Sequence, residues 1–438
     1  MIKVCKFGGT SMADGTNIKR IAAIVKEDPA RRYLVVSAPG KRYGGDQKIT
    51  DLLYETYQNI SQTGRTGDAY ERVKKRFCSI AEELGLNGME TVLTQTEREM
   101  QEECSADFCA SRGEYLAGQL AARYLGIPFL DARAYVKFRA DGSLDGERTY
   151  ALLSEELKKH ERAVVAGFYG EDAEGRVKTF PRGGSDISGA VVARAVRADL
   201  YENWTDVSGF LACDPRIVEN PRKIDFLSYK ELRELSYMGA NVLHSESIFP
   251  VKDADIPIRI KNTFRPEDEG TEIVPVKRYR YAGNPVTGIA GRKNFTVIYV
   301  EKSLMNSEIA FARRVLSVLE RHEISFEHIP SGIDTMSFVI DSAALSGGVL
   351  ETVCAEIKEA VSPDDLHVYD EIALIAVVGH GMSQNVGTSA RVFEAIAKAG
   401  VNVRMIDQGS SEINIIVGVD NENCERAIRA VYREFFTP

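Results

Sequence analysis

The feature that most restricts the fold of this chain is an alternation. Over residues 1 to about 283, short apolar runs are separated by longer helix-patterned segments. Strand-like runs occupy 2–7, 33–37, 128–131, 163–166, 200–204 and 257–261, and several are apolar without interruption. Strands buried on both faces read that way, whereas strands with one wet face alternate. Helix patterns fall between them, for example at 65–84, 112–125 and 185–196. This order predicts an α/β fold: an open, mostly parallel sheet covered by helices on both faces. In such folds ligands sit beyond the carboxyl ends of the strands.

The stretch 265–284 is rich in charge, Gly and Pro and reads as a linker. An internal repeat follows it. Met305, Arg314, Val315 and Ile329 recur as Met382, Arg391, Val392 and Ile406, each 77 residues on. One copy reads as strands at 296–300, 325–329 and 337–341 with helices at 310–322 and 350–360. The other has strands at 374–379, 403–407 and 413–419 with helices at 388–399 and 422–435. The order is that of the ferredoxin-like split unit. A length of 438 residues is compatible with about three domains.

A net charge of −9 argues against nucleic acid or an anionic membrane as the main partner. An acidic chain that binds anionic substrates must gather its cations locally, which draws attention to Lys6, Arg182 and Arg216. The seven cysteines, at 5, 78, 104, 109, 213, 354 and 424, form neither a CxxC pair nor a zinc spacing. Reduced thiols in a cytoplasmic protein fit them, with Cys104 and Cys109 read as helix packing residues. The N-terminus runs straight into a strand pattern without a signal peptide, and no apolar run approaches the ~20 residues that span a bilayer.

Three segments carry the residue types of phosphate and carboxylate chemistry. In Lys6-Phe7-Gly8-Gly9-Thr10-Ser11 a strand meets a glycine turn and a helix start. Thr10, Ser11 and Asp14 are candidate caps for the periodic run Ile18, Ile21, Ala22, Val25. Backbone N–H groups at such a corner suit an anion, and Lys6 adds a full charge. The same corner also reads as a plain turn with a solvated lysine. Arg182-Gly183-Gly184-Ser185-Asp186 again joins a strand, 177–180, to a helix. Arg182 offers the planar fork that grips a carboxylate. Asp186 reads either as a first-turn acid or as a partner that holds Lys6 or helps bind Mg2+. In Asn203-Trp204-Thr205-Asp206, followed by Asp214-Pro215-Arg216, Thr205 and Asp206 suit adenine or ribose and Arg216 a phosphate, although singly these are ordinary turn residues. No GxxxxGK[ST] motif and no protein-kinase HRD or DFG set is present.

These segments, together with SRGE at 111–114 and Met238-Gly239-Ala240-Asn241-Val242-Leu243-His244, occur in the order and spacing found in aspartate kinases, which the chain resembles over nearly its whole length. The resemblance implies an amino acid kinase fold, a three-layer αβα catalytic domain at 1–283, then two ACT domains at 284–365 and 366–438. It implies the reaction of ATP with L-aspartate to ADP and 4-phospho-L-aspartate, the committed step toward lysine, threonine and methionine. Lys6, Gly8, Gly9 and Thr10 would cradle the transferring phosphates. Ser37, Thr50, Glu114, Arg182 and Ser185 would hold aspartate. Thr205, Asp206, Arg216, Asn241 and Val242 would meet the nucleotide, with Asp186 near Mg2+ and Lys6. Ser111-x-x-Glu114 has a second reading as a capping box before an apolar helix. The alternatives are another amino acid kinase, acting on glutamate or acetylglutamate, and a catalytically silent amino-acid sensor.

The chain departs from the family pattern in two places. Asn241 stands where many members carry a lysine, with Lys252 and Lys223 as candidate replacements, and Ser245 stands where proline is usual. The basic loop 39–46 after Ser37 reads as a flap over substrate or as a surface loop. The ACT resemblance implies a homodimer or dimer of dimers and an effector site in the first repeat, around Met305, Ser325, Glu327 and Ser331. Glu327 aligns with Arg404 in the other copy, which fits a single basic effector, L-lysine first and threonine second. No fused homoserine dehydrogenase is expected beyond Pro438.

Overall fold

The computed structural model describes the chain except residues 182, 241, 244, 280–282 and 438 and the side chains of 245 and 246. It forms two compact units. The first comprises Met1–Phe210, Asp225–Tyr229 and Asn241–Arg280, and the second Leu211–Ile224, Lys230–Ala240 and Tyr281–Pro438.

The strands of the first unit are β1 (Lys3–Phe7), β2 (Arg31–Val36), β3 (Phe129–Leu130), β4 (Ala163–Ala166), β5 (Tyr169–Glu171), β6 (Val177–Thr179), β7 (Leu200–Thr205), β8 (Phe226–Ser228), β9 (Ile258–Asn262) and β10 (Thr271–Val274). Eight of them build one sheet in the order β3-β4-β2-β1-β7-β9-β10-β8, and β5 and β6 form a separate hairpin. Pairing is parallel except where β10 runs antiparallel to β9. The uninterrupted apolar runs in β2 and β4 are buried, as two-sided burial requires. Strand β7 breaks the rule with Glu202 and Asn203, both buried. Each has partners, as a buried polar group must. Glu202 accepts from Arg31 Nε (2.8 Å) and Trp204 Nε1 (3.0 Å) and lies 3.5 Å from Lys3 Nζ. Trp204 is fully buried and stacks on Phe7 at 5.9 Å, with Arg31 and Lys261 over its ring.

The helix Gly15–Glu27 starts where the sequence predicts, with Asp14 accepting from Asn17 N (2.8 Å). The helix Ala106–Leu125 starts earlier than the predicted 112, because Ser105 caps it by accepting from Phe108 N (3.1 Å). Ser111 and Glu114 therefore lie in the helix interior, and the capping-box reading of that pair is wrong. Cys109 is buried in this helix, but Cys104 is exposed ahead of it and is not a helix packing residue. The stretch 265–284 is not a plain linker: it contributes β10, whose four residues are too few to show periodicity between charged flanks.

In the second unit, β11 (Gly288–Glu301), β12 (Thr335–Asp341), β13 (Asp365–Val378), β14 (Met405–Asp407) and β15 (Asn414–Asp420) form one antiparallel sheet in the order β12-β11-β13-β15-β14. Both repeats thus feed a single sheet through the long pair β11 and β13. The helices Phe311–Arg321 and Val349–Val361 cover the first repeat's strands around Ile298, Val315, Phe338 and Val353. The strand expected at 325–329 is reduced to single pairings such as His328 with Val339. Pro330, which has no N–H to donate, interrupts it, and pairing resumes at Ser331 with Met336.

Candidate active site

Four neighbouring parallel strands, β4, β2, β1 and β7, end on the same edge of the first unit's sheet. The segments that leave those ends line one cleft of about 580 Å3: Phe168 after β4, Ser37 to Lys41 after β2, Gly9 and Thr10 after β1, and Asp206 after β7. The turn Gly183–Asp186 and Glu114 close it, with Lys48 and Thr50. The two glycine turns picked out in the sequence therefore converge on one pocket. The first of them packs closely against the loop that follows β2. Gly40 N donates to Gly9 O (2.8 Å), and a Cβ on Gly40 would lie 2.7 Å from the Gly9 carbonyl carbon, so only glycine lets the two backbones cross.

Lys6 is buried at the end of β1, and its Nζ meets Asp186 Oδ1 at 2.6 Å. Asn203 Nδ2 donates to the same oxygen at 2.8 Å. Register explains the meeting, because Lys6 stands opposite Asn203 in the β1–β7 pairing and both lie beneath the helix Gly184–Ala195 that carries Asp186. Asp206 accepts from Thr10 Oγ1 and Thr205 Oγ1, each at 3.2 Å. Glu114 is buried. Its Oε1 accepts from Ser185 Oγ at 3.4 Å, and among the described residues its Oε2 has no hydrogen-bond partner. Burial pushes its pKa up to about 8, against smaller opposing effects from the Ala38 N–H, Ser185 and Lys6. Among the described residues the site thus holds a buried carboxyl with a spare oxygen and no ion-pair partner, the environment that a ligand ammonium completes.

The cleft brings together Lys6, Gly9, Thr10, Ser37, Thr50, Glu114, Ser185, Asp186 and Asp206 of the residues expected from the sequence. Gly8 lies just beneath, its N–H on Trp204 O (3.0 Å). Thr205 takes part through Asp206, and Val242 is a half-buried turn residue that does not line the cleft. Arg182 and Asn241 lie outside the described residues. Arg216 belongs to the second unit, where its exposed guanidinium holds Asp214 at 2.6 Å. Sequence reasoning missed Lys48 and Phe168. The first is a lone lysine two residues before Thr50; the second has φ of 78°, a strained conformation for a bulky residue that no residue type announces. Among the described residues no three His, Cys, Asp or Glu side chains cluster to hold a metal alone. Asp186 and Asp206 do share the cleft, which fits Mg2+ bound mainly through nucleotide phosphates.

Of the four residues expected to bind an effector, Met305 is buried in the first repeat's core and Ser325 and Ser331 are exposed. Glu327 is half-buried, with Oε1 3.6 Å from Arg292 Nη1 and Oε2 buried without a hydrogen-bond partner among the described residues. Tyr237 shares a hydrogen bond with it, and burial followed by that bond pushes the phenol to about 12.

Comparison with known proteins agrees with this architecture. The family model described as "Amino acid kinase family" matches residues 1–262, and an ACT domain model matches 375–435. Aspartokinase 3 of Bacillus subtilis is 40% identical over 99% of both chains. The crystal structure of Clostridium acetobutylicum aspartate kinase superposes with a TM-score of 0.91 at 46% identity over 99% of both chains. E. coli aspartokinase III, in complex with aspartate and ADP, superposes with a TM-score of 0.80 at 25% identity over 100% of both. A second structure of that enzyme, in complex with lysine and aspartate, gives 0.76 at 26% identity over 99% of both. This chain belongs to the aspartokinase family of amino acid kinases.

Proposed function

We propose that this chain transfers the γ-phosphoryl group of ATP to the β-carboxylate of L-aspartate, forming 4-phospho-L-aspartate and ADP. A carboxylate oxygen attacks the γ-phosphorus, and the bond from that phosphorus to the β–γ bridging oxygen breaks. The electron pair leaves with ADP. No base is required, because the β-carboxylate is already ionised at neutral pH. The obstacle is bringing two anions together, so catalysis is alignment and charge neutralisation. The observation that carries this reading is the pairing, in one cleft, of a buried ammonium at Lys6 with a buried, incompletely partnered carboxyl at Glu114.

In this reading Lys6 faces the transferring phosphoryl group and Asp186 fixes its direction. The turns at Gly9–Thr10 and Gly183–Ser185 present backbone N–H groups to phosphate and carboxylate oxygens. Glu114 takes the substrate ammonium, with Ser37, Thr50 and Ser185 around the amino acid and Arg182 on its α-carboxylate. Thr205 and Asp206 frame the nucleotide. Asp186 and Asp206 would help hold a nucleotide-borne Mg2+, which when bound would supply further neutralisation of charge. Steady-state turnover with aspartate and with glutamate, read as ADP release, tests the reaction. Aspartate-dependent release is expected; release that prefers glutamate, or nucleotide binding without turnover, overturns it.

The E. coli relative solved with lysine supports an amino acid effector for this chain, and Glu327 suits a basic one. L-lysine is the effector we expect, with threonine second, acting on a homodimer joined through ACT domains. Flat activity through millimolar lysine rejects the first part, and a monomer by light scattering rejects the second.

A further inference from the structure

A second cleft of the first unit, about 320 Å3, is lined by Arg42, Asp46, Gln47, Arg72, Lys75 and Arg76. Four cations therefore face one carboxylate, in a chain whose net charge is −9. Arg72, Lys75 and Arg76 stand on one face of the helix Gly67–Glu83 at spacings of three and four residues. Like charges so placed oppose one another and give the helix nothing.

Their partners are too few. Asp46 accepts from Arg42 Nε (2.9 Å), Arg42 N (3.0 Å) and Arg76 Nη2 (2.5 Å). The Arg42 hydrogen bond, aided by the Arg76 charge, holds its carboxyl well below the usual range. Arg76 is buried, and burial followed by the Arg42 charge lowers its pKa. Arg72 reaches only the amide oxygen of Gln47, and among the described residues neither Arg72 nor Lys75 has a carboxylate partner.

We propose that this cleft is a binding site for a small polyanion with phosphate-type oxygens, such as inorganic phosphate, pyrophosphate or a phosphomonoester. Arg72 and Lys75 hold it from the open side, and its inner oxygens compete with Asp46 for the guanidinium groups of Arg42 and Arg76. A planar guanidinium fork and a mobile ammonium are the usual pair for such oxygens. The site is separate from the Lys6 cleft, yet one stretch of chain serves both. Residues 39–41, 48 and 50 line the Lys6 cleft, and residues 42, 43, 45–47 and 52 line this one. Arg76 ties them together, its Nη1 donating to Gly40 O (3.4 Å) and Ala13 O (3.1 Å).

Calorimetric titration with pyrophosphate in 0.15 M salt tests the assignment, using the wild-type chain, Lys6→Ala, and the double variant Arg72→Gln/Lys75→Gln. Both residues of the double variant are exposed, and a thermal melt checks that it folds. Binding is expected in the wild type and in Lys6→Ala, weakened roughly tenfold or more in the double variant, as loss of two charge-assisted contacts requires. An isotherm that is absent from the wild type, vanishes with Lys6→Ala or survives the double substitution overturns the proposal.

Discussion

Two buried side chains of opposite sign dominate the active cleft, and each makes a distinct prediction. Among the described residues Lys6 has one carboxylate partner, Asp186, which keeps Asn203 when the lysine is removed. Lys6→Ala should therefore leave the melting temperature nearly unchanged while turnover falls by roughly a thousandfold, the scale of losing a preorganised charge at the reacting group. A ten-degree drop in the melt would instead make Lys6 a fold residue. Glu114 titrates up to about 8 because burial penalises its charge, against an ordinary value of 4.5. The folded chain holds a proton that the unfolded chain releases across that window, so stability falls as pH rises from 4.5 toward about 8. An ammonium bound at Glu114 needs the ionised form. Aspartate binding near pH 7 should accordingly release a proton, seen as heats that vary with buffer ionisation enthalpy, and the apparent KM for aspartate should fall between pH 6 and 8. Glu114→Gln should remove both signals and raise the melting temperature at pH 9. Buffer-independent heats would show that Glu114 does not meet the ammonium.

At the scale of elements, the site depends on how closely a helix and a turn approach. A Cβ on Gly113 would lie 2.7 Å from Ala38 Cβ, at the segment that carries Ser37 into the cleft. Gly113→Ala should push the helix Ala106–Leu125 outward, raise the KM for aspartate and cost about 1–3 kcal/mol, the range for overpacking. A urea midpoint and KM both equal to wild type would refute the contact. This closeness was not legible in the sequence, where Gly113 sits inside a helix pattern with no sign of what faces it. The legible parts were those with strong local signals. The apolar runs of β2 and β4 marked buried parallel strands, and Asp14 marked a helix start. The pairing of Lys6 with Asp186 was open to inference because both lie in glycine turns at strand ends. Less legible was the helix around Glu114, where the Ser111 cap signal misled and the structure caps the helix at Ser105 instead. Lys48 and Phe168 had no motif to announce them, since tertiary placement alone brings them to the cleft.

On the scale of the whole molecule, an α/β unit and an antiparallel unit divide the chain, and regulation by an amino acid would couple them. Glu327 is the test residue, because its buried oxygen lacks a partner among the described residues. Glu327→Ala should raise the lysine concentration for half-inhibition at least tenfold, the effect of losing a charge-assisted contact of about 1.4 kcal/mol. An unchanged inhibition curve would move the effector elsewhere. The chain has a single tryptophan, Trp204, fully buried on β7 in the first unit. Indole emission is therefore a reporter for one unit only. Far-ultraviolet circular dichroism sees both, so overlaid unfolding curves from the two signals reveal whether the antiparallel unit melts as an independent body or in step with its neighbour.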